Sequence, residues 1–150
     1  MVQAWTALRW FHSAAELLHL DMKPNNMIWS RVHQRLSIVD FSLVEPWPVP
    51  AGHEPHGVYC TLPYRAPEII VKVKRTALPA LVRPALDWWA LGCAAWELAA
   101  GHARFSGGQD DINCHVAKWN SQLEPQGWLP QRLANPHAEA AARYLARPGP

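Results

Sequence analysis

Apolar positions at the start of the chain recur every three or four residues, at Val2, Trp5, Leu8, Phe11, Ala15 and Leu18. That spacing predicts an amphipathic helix over residues 2–18 with one face on a core. Pro24 halts helical structure, because it lacks an N–H and restricts the residue before it. Two short apolar runs follow, Met27–Trp29 and Leu36–Val39, separated by the polar stretch Ser30–Arg35. They predict two brief strands joined by a turn. Residues 43–63 carry five prolines, two glycines and no period. This is the pattern of a long loop, and such loops inside a domain are usually functional or disordered. Residues 86–100 are apolar nearly all round and stop at Gly101, which predicts a buried central helix closed by a glycine C-cap. Residues 110–124 and 137–147 are weaker helix candidates. The fold class expected is mainly α with a short β-hairpin.

Composition narrows the classes of function. A chain of 150 residues can build one domain with a real core, and 49% apolar content with nine tryptophans excludes disorder. The 14 Lys and Arg against 12 Asp and Glu are scattered, so no nucleic acid or anionic membrane is expected as a partner. The longest uncharged apolar run, Trp88–Trp96, lies between Asp87 and Glu97. It is about half the ~20 residues a membrane span needs. Arg9, His12 and Glu16 interrupt the first apolar stretch and argue against a signal peptide. Three unpatterned cysteines, Cys60, Cys93 and Cys114, give no disulfide framework, so a reduced setting, cytoplasmic or nuclear, is expected.

The candidate chemistry sits in four short segments: His19-Leu20-Asp21-Met22-Lys23-Pro24-Asn25-Asn26, Asp40-Phe41-Ser42, Ala66-Pro67-Glu68 and Asp87-Trp88-Trp89-Ala90-Leu91-Gly92-Cys93. Each is weak alone. In this order they resemble the large, C-terminal lobe of a eukaryotic-type protein kinase, whose patterns are H-R-D-x-K-P-x-N, D-F-G and A-P-E. The run Thr61-Leu62-Pro63-Tyr64-Arg65-Ala66-Pro67-Glu68 resembles the activation-segment end of cyclin-dependent and MAP-type kinases. The resemblance spans nearly all of residues 1–150 as one domain, with a catalytic loop at 19–26, a metal motif at 40–42, an activation segment at 40–68 and a central helix at 86–100.

What the resemblance implies agrees with the residue types. Phosphoryl transfer requires positioning, a cation near the transferring group and a carboxylate at the acceptor hydroxyl. Asp21 would orient the substrate hydroxyl and accept its proton, and Lys23 would neutralise charge on the phosphoryl group of ATP. Asn26 and Asp40 would hold Mg²⁺, brought to one rim by the hairpin between them. Thr61 would bridge Asp21 and Lys23. His19 would pack on Phe41, and Asp87 would accept backbone N–H groups of the catalytic loop, although an Asp at a helix start also suits an N-cap. Lys23, two residues after Asp21, points to Ser or Thr on a protein substrate. The His53, His56 and Cys60 spacing offers too few ligands for a structural zinc site. Val71-Lys72-Val73-Lys74 follows the A-P-E motif and reads as a surface charge pair.

The chain departs from the family pattern in four places. No G-x-G-x-x-G is present and 18 residues precede His19, so the small lobe is expected from an upstream segment or a partner. The fold expected is thus an incomplete two-lobed kinase fold, inactive as this piece alone. Leu20 replaces the usual Arg, and Tyr59 and Thr61 are the only hydroxyl residues between Leu43 and Pro63, which implies a geometry independent of phosphorylation. Ser42 replaces a Gly, restricting positive φ there. The Arg that normally pairs with Glu68 is not found in its usual segment, so Glu68 is expected to be buried and unpaired, and Glu68→Gln to stabilise the chain. The leading function is a Ser/Thr protein kinase catalytic region. The alternative is a kinase-derived binding module without catalysis. An unrelated small-molecule phosphotransferase ranks third, because the activation-type loop implies a peptide substrate.

Overall fold

In the computed structural model, residues 1–53, 59–70, 82–108, 110–112, 114, 115 and 118 are described. The first helix, α1, runs over Val2–Ser13, five residues short of the predicted end. Beyond Ala14, Glu16 adopts φ 53°, a left-handed conformation that no helix can continue. The chain instead extends through β1, Leu17–Leu18. Ala15 and Leu18 keep helical spacing by coincidence, since Leu18 is buried from a strand. The buried face of α1 is also rotated from the expected stripe. Ala4 and Leu8 are fully buried, whereas Val2 and Trp5 are exposed.

The predicted hairpin is present as β2, Met27–Ser30, and β3, Arg35–Ile38, antiparallel with Met27 opposite Ile38 and Ser30 opposite Arg35. Leu36 and Ile38 pack against the core while Arg35 and Ser37 are exposed, the period-2 alternation of a half-covered strand. Gln3 pins this hairpin to α1: its amide nitrogen donates to the Gln34 carbonyl at 2.9 Å and its oxygen accepts from the Leu36 N–H at 2.8 Å. The long loop contains one element that periodicity missed. Glu45–Pro46 forms β4, antiparallel to β1 with Leu18 opposite Glu45. Two residues, one of them proline, carry no strand signature, and proline is tolerated because this strand is an edge.

A 3₁₀ turn over Leu62–Tyr64 leads to the short helix α2, Pro67–Ile70. The long helix α3 spans Pro84–Ala100, with proline in its first turn and Gly101 at φ 77° closing it by an N–H bond to the Glu97 carbonyl at 2.8 Å. Its burial is confined to Leu86, Asp87, Ala90, Leu91, Cys93 and Ala94. Trp96 and Leu98 are exposed, so the expectation of all-round burial fails over the last two turns. Residues 110–112, 114, 115 and 118 are helical; the rest of the 110–124 candidate, all of 137–147, and Val71–Lys74 lie outside the described residues.

The described residues are thus partly helical, with two small antiparallel sheets. Two apolar clusters each take in a residue of the loop at 19–26. One joins α1, Met22, Tyr64 and the middle of α3. The other joins Leu18, Leu20, Tyr59, Cys60 and Leu86. No helix among the described residues is long and apolar enough to cross a membrane.

Candidate active site

The loop between β1 and β2 is held in an uncommon backbone conformation. Leu20 has φ 62°, which costs free energy for a residue with a Cβ and persists only where surroundings enforce it. The enforcing group is Asp87, fully buried in the first turn of α3. Its carboxylate accepts the N–H of His19 at 2.8 Å and of Leu20 at 2.7 Å. The N-cap position of α3 is Arg83, so Asp87 braces the loop rather than capping its own helix. His12 completes the arrangement, with Nε2 at 2.8 Å from Asp87 Oδ2. Nothing local in the sequence signals this contact, because the two residues are 75 apart.

Asp21 follows directly and is 6% exposed. Oδ1 accepts the backbone N–H of Thr61 at 2.9 Å and its hydroxyl at 2.8 Å. Oδ2 accepts from Lys23 Nζ at 2.6 Å and Asn26 Nδ2 at 3.1 Å. Lys23 Nζ also donates to Thr61 Oγ1 at 2.8 Å, so that hydroxyl gives one bond and receives another. Burial alone would raise the Asp21 pKa, but the Lys23 and Thr61 hydrogen bonds outweigh it and hold the carboxyl below its usual range. It is therefore ionised at neutral pH.

Asn26 ends a 3₁₀ turn over Pro24–Asn26. Its amide nitrogen also donates to the Asp21 carbonyl at 2.8 Å, which leaves the amide oxygen as its atom for a further ligand. Its backbone carbonyl accepts the Val39 N–H at 3.0 Å, and so the hairpin returns Asp40 beside it. Asp40 is exposed, at φ 64°. Oδ1 accepts the Ser42 hydroxyl at 2.7 Å and its N–H at 3.4 Å, and these bonds lower the Asp40 pKa. Positive φ falls on Asp40 and not on Ser42. Ser42 acts here as a hydroxyl donor that holds the Asp40 carboxylate. Oxygen donors of this kind suit a hard cation such as Mg²⁺. Among the described residues no group of three His, Cys, Asp or Glu could hold a metal, so a cation here would share Asn26 and Asp40 with phosphate and water oxygens.

His19 is buried against Phe41, ring centroids 5.4 Å apart, and its Nε2 lies 3.2 Å from the Val39 carbonyl. Phe41 stacks on Phe11 at 5.9 Å yet remains more than half exposed. The strap over Asp21 is fixed at Cys60, φ 59°. Its N–H donates to the Leu20 carbonyl at 2.8 Å, and its carbonyl accepts from Arg65 Nε at 3.0 Å. Burial pushes the Cys60 thiol up, and His53 is engaged by Glu45 at 2.5 Å; His56 lies outside the described residues. Tyr64 donates to Glu97 on α3, and burial followed by that bond raises its pKa.

One expectation is corrected. Glu68, 8% exposed, is not unpaired: Arg83 Nη2 lies 3.6 Å from its Oε1. The partner stands just before α3, 15 positions along the chain, where no motif marks it. Arg143 and Arg147, in the helix candidate at 137–147, lie outside the described residues.

Residues 1–140 match the sequence profile of the family described as Protein kinase domain. The chain is 35% identical to G protein-coupled receptor kinase 4 of Mus musculus over 97 residues, covering 65% of this chain and 15% of that protein. It is 33% identical to Cyclin-dependent kinase B2-1 of Oryza sativa subsp. japonica over 113 residues, 75% of this chain and 32% of that protein. Against Cell division control protein 2 homolog 3 of Trypanosoma brucei brucei it is 36% identical over 91 residues, 61% of this chain and 27% of that protein. The chain therefore spans a third or less of the length of these relatives.

Proposed function

Because the chain belongs to the protein kinase family, we propose that it forms the large-lobe catalytic region of a Ser/Thr protein kinase, with ATP as phosphoryl donor and a protein hydroxyl as acceptor. The observation that carries this reading is the closed set of bonds among Asp21, Lys23 and Thr61. Asp21 holds the acceptor hydroxyl and receives its proton. With its pKa lowered it is a weak base, so orientation is the larger part of its role. The proton moves late, once phosphoryl transfer has made the hydroxyl acidic. Lys23 neutralises charge growing on the transferring group. Thr61 fixes both side chains. Asn26 and Asp40 would hold Mg²⁺, which when bound neutralises phosphate charge. Ser42 keeps Asp40 in the ionised form that ligates. Free cysteines at positions 60, 93 and 114 accord with a reducing compartment, cytoplasmic or nuclear.

The 150 residues contain no Gly-rich phosphate loop. Since misplacing reacting groups by about 1 Å can cost about a hundredfold in rate, no measurable transfer is expected from this chain by itself. The test uses labelled ATP, Mg²⁺ and peptides bearing Ser, Thr or Tyr, with the chain alone and joined to a kinase small lobe. We expect label on Ser and Thr from the joined protein only, abolished by Asp21→Asn. Label confined to Tyr, or undiminished in the Asn variant, would overturn the reading. No label from the joined protein would favour the binding-module alternative.

A further inference from the structure

The segment between Asp40 and Glu68 contains a buried carboxylate that the phosphoryl-transfer chemistry does not use. Glu45, in β4, is 1% exposed. Its Oε2 accepts from His53 Nε2 at 2.5 Å and its Oε1 accepts the Tyr59 hydroxyl at 3.0 Å. One anion thus ties together points 8 and 14 residues further along the segment. His53 closes a turn through its N–H to the Pro50 carbonyl at 3.1 Å. Tyr59 is buried and directly precedes Cys60 and Thr61, the strap whose N–H groups bind the Leu20 carbonyl and Asp21.

We propose that Glu45 is a positioning residue for the site: by anchoring Tyr59 and His53 it holds the Cys60–Thr61 strap over Asp21 and Lys23 without a phosphate on the segment. The inference rests on the reading of Asp21 and Lys23 as the phosphoryl-transfer pair. A carboxylate this buried is tolerated only where donors compensate it, and His53 and Tyr59 both belong to the same segment, so these two bonds fold that segment onto itself. The segment's hydroxyls point the same way. Tyr59 and Thr61 are the only ones between Leu43 and Pro63, and both are engaged, by Glu45 and by Asp21. Leu20 lies in the apolar cluster with Tyr59 and Cys60 and offers no cation to a phosphate.

Hydrogen exchange on the 150-residue chain tests this without turnover. Glu45→Ala is expected to speed exchange at the Cys60 and Thr61 amides by about tenfold or more, the scale of losing a buried charged hydrogen-bond partner. Amides of α3 should keep their rates. Glu45→Gln, which retains an acceptor for Tyr59, should restore most of the protection. Unchanged rates at Cys60 and Thr61, or equal losses across α3, would overturn the proposal. Should Glu45→Ala unfold the chain, Tyr59→Phe decides by the same two amides, because it removes one hydroxyl and keeps the ring. A failed phosphotransfer assay beside the expected exchange pattern would defeat the catalytic reading and leave the anchoring intact.

Discussion

A nearly buried carboxylate stays ionised only if donors replace the water it has lost, and Asp21 has them from Thr61, Lys23 and Asn26. The consequence for stability has a definite sign. A carboxyl held below its usual pKa in the folded state stabilises the fold above the unfolded value, and that contribution is lost as pH falls through the folded value. For Asp21 the loss is expected below about pH 4, the ordinary aspartate range. Acid melts should therefore show a shallower fall in stability below that pH for Asp21→Asn than for the parent chain. Identical slopes would mean that the donors do not bias its ionisation. For Glu68 the ion pair gives the opposite outcome to the one its sequence context implied. With Arg83 at 3.6 Å and partly exposed, removing the charge should destabilise by about 0.5–1 kcal/mol, near the upper range for exposed ion pairs. Denaturant melts of Glu68→Gln check this, and a gain in stability would return Glu68 to the unpaired state. The residues at 19–26 were legible because their motif, in order with those at 40–42 and 66–68, carries a family resemblance, although their partners Thr61 and Asp87 lie far along the chain. His12 and Arg83 were not, because no motif marks them, and Glu45 was not, because it sits in a segment without a period.

Among the elements, legibility tracked the strength of local rules. The hairpin follows from two short apolar runs separated by a polar stretch, and its ends fall within one residue of expectation. The end of α3 follows from Gly101, whose φ of 77° is what a left-handed cap requires. Nothing lies within 4 Å of a Cβ built on Gly101, so Gly101→Ala meets no steric clash and its cost is the left-handed backbone alone. That cost is about 1–2 kcal/mol, expected as a lowered denaturation midpoint with an unchanged slope. A neutral result would show that the helix ends by other means. The end of α1 misled because Ala15 and Leu18 are apolar in either conformation. β4 misled because two residues are too few for any period, and its pairing with β1 is a tertiary fact. The exposed end of α3 shows the complementary failure: mean apolarity does not say which turns a neighbour covers.

At the scale of the whole molecule, α1, the loop at 19–26 and α3 meet at one carboxylate. Asp87 is fully buried and receives the His19 N–H, the Leu20 N–H and His12 Nε2. Of that loop, Met22 joins one apolar cluster and Leu20 the other, and apolar packing has no direction, so it cannot by itself set how the loop is oriented. Asp87 supplies the direction. It also holds Leu20 at φ 62°, and Leu20 passes that orientation to the strap through its carbonyl and to Asp21 through the next peptide. Replacing the carboxylate by an amide keeps the shape but leaves one acceptor oxygen for three donors, with an NH₂ turned toward N–H groups. Breaking a buried charged network from one side typically costs about 3–5 kcal/mol, against a total of about 5–15 kcal/mol for a domain. We expect Asp87→Asn to lose on the order of 3 kcal/mol in denaturant melts, with faster exchange at His19, Leu20 and Cys60 than at the hairpin. His12→Ala should lose less, because both backbone bonds to Asp87 remain. If Asp87→Asn instead matched the parent chain in stability and exchange, the loop would be held by packing alone, and the left-handed turn at Leu20 would need another cause.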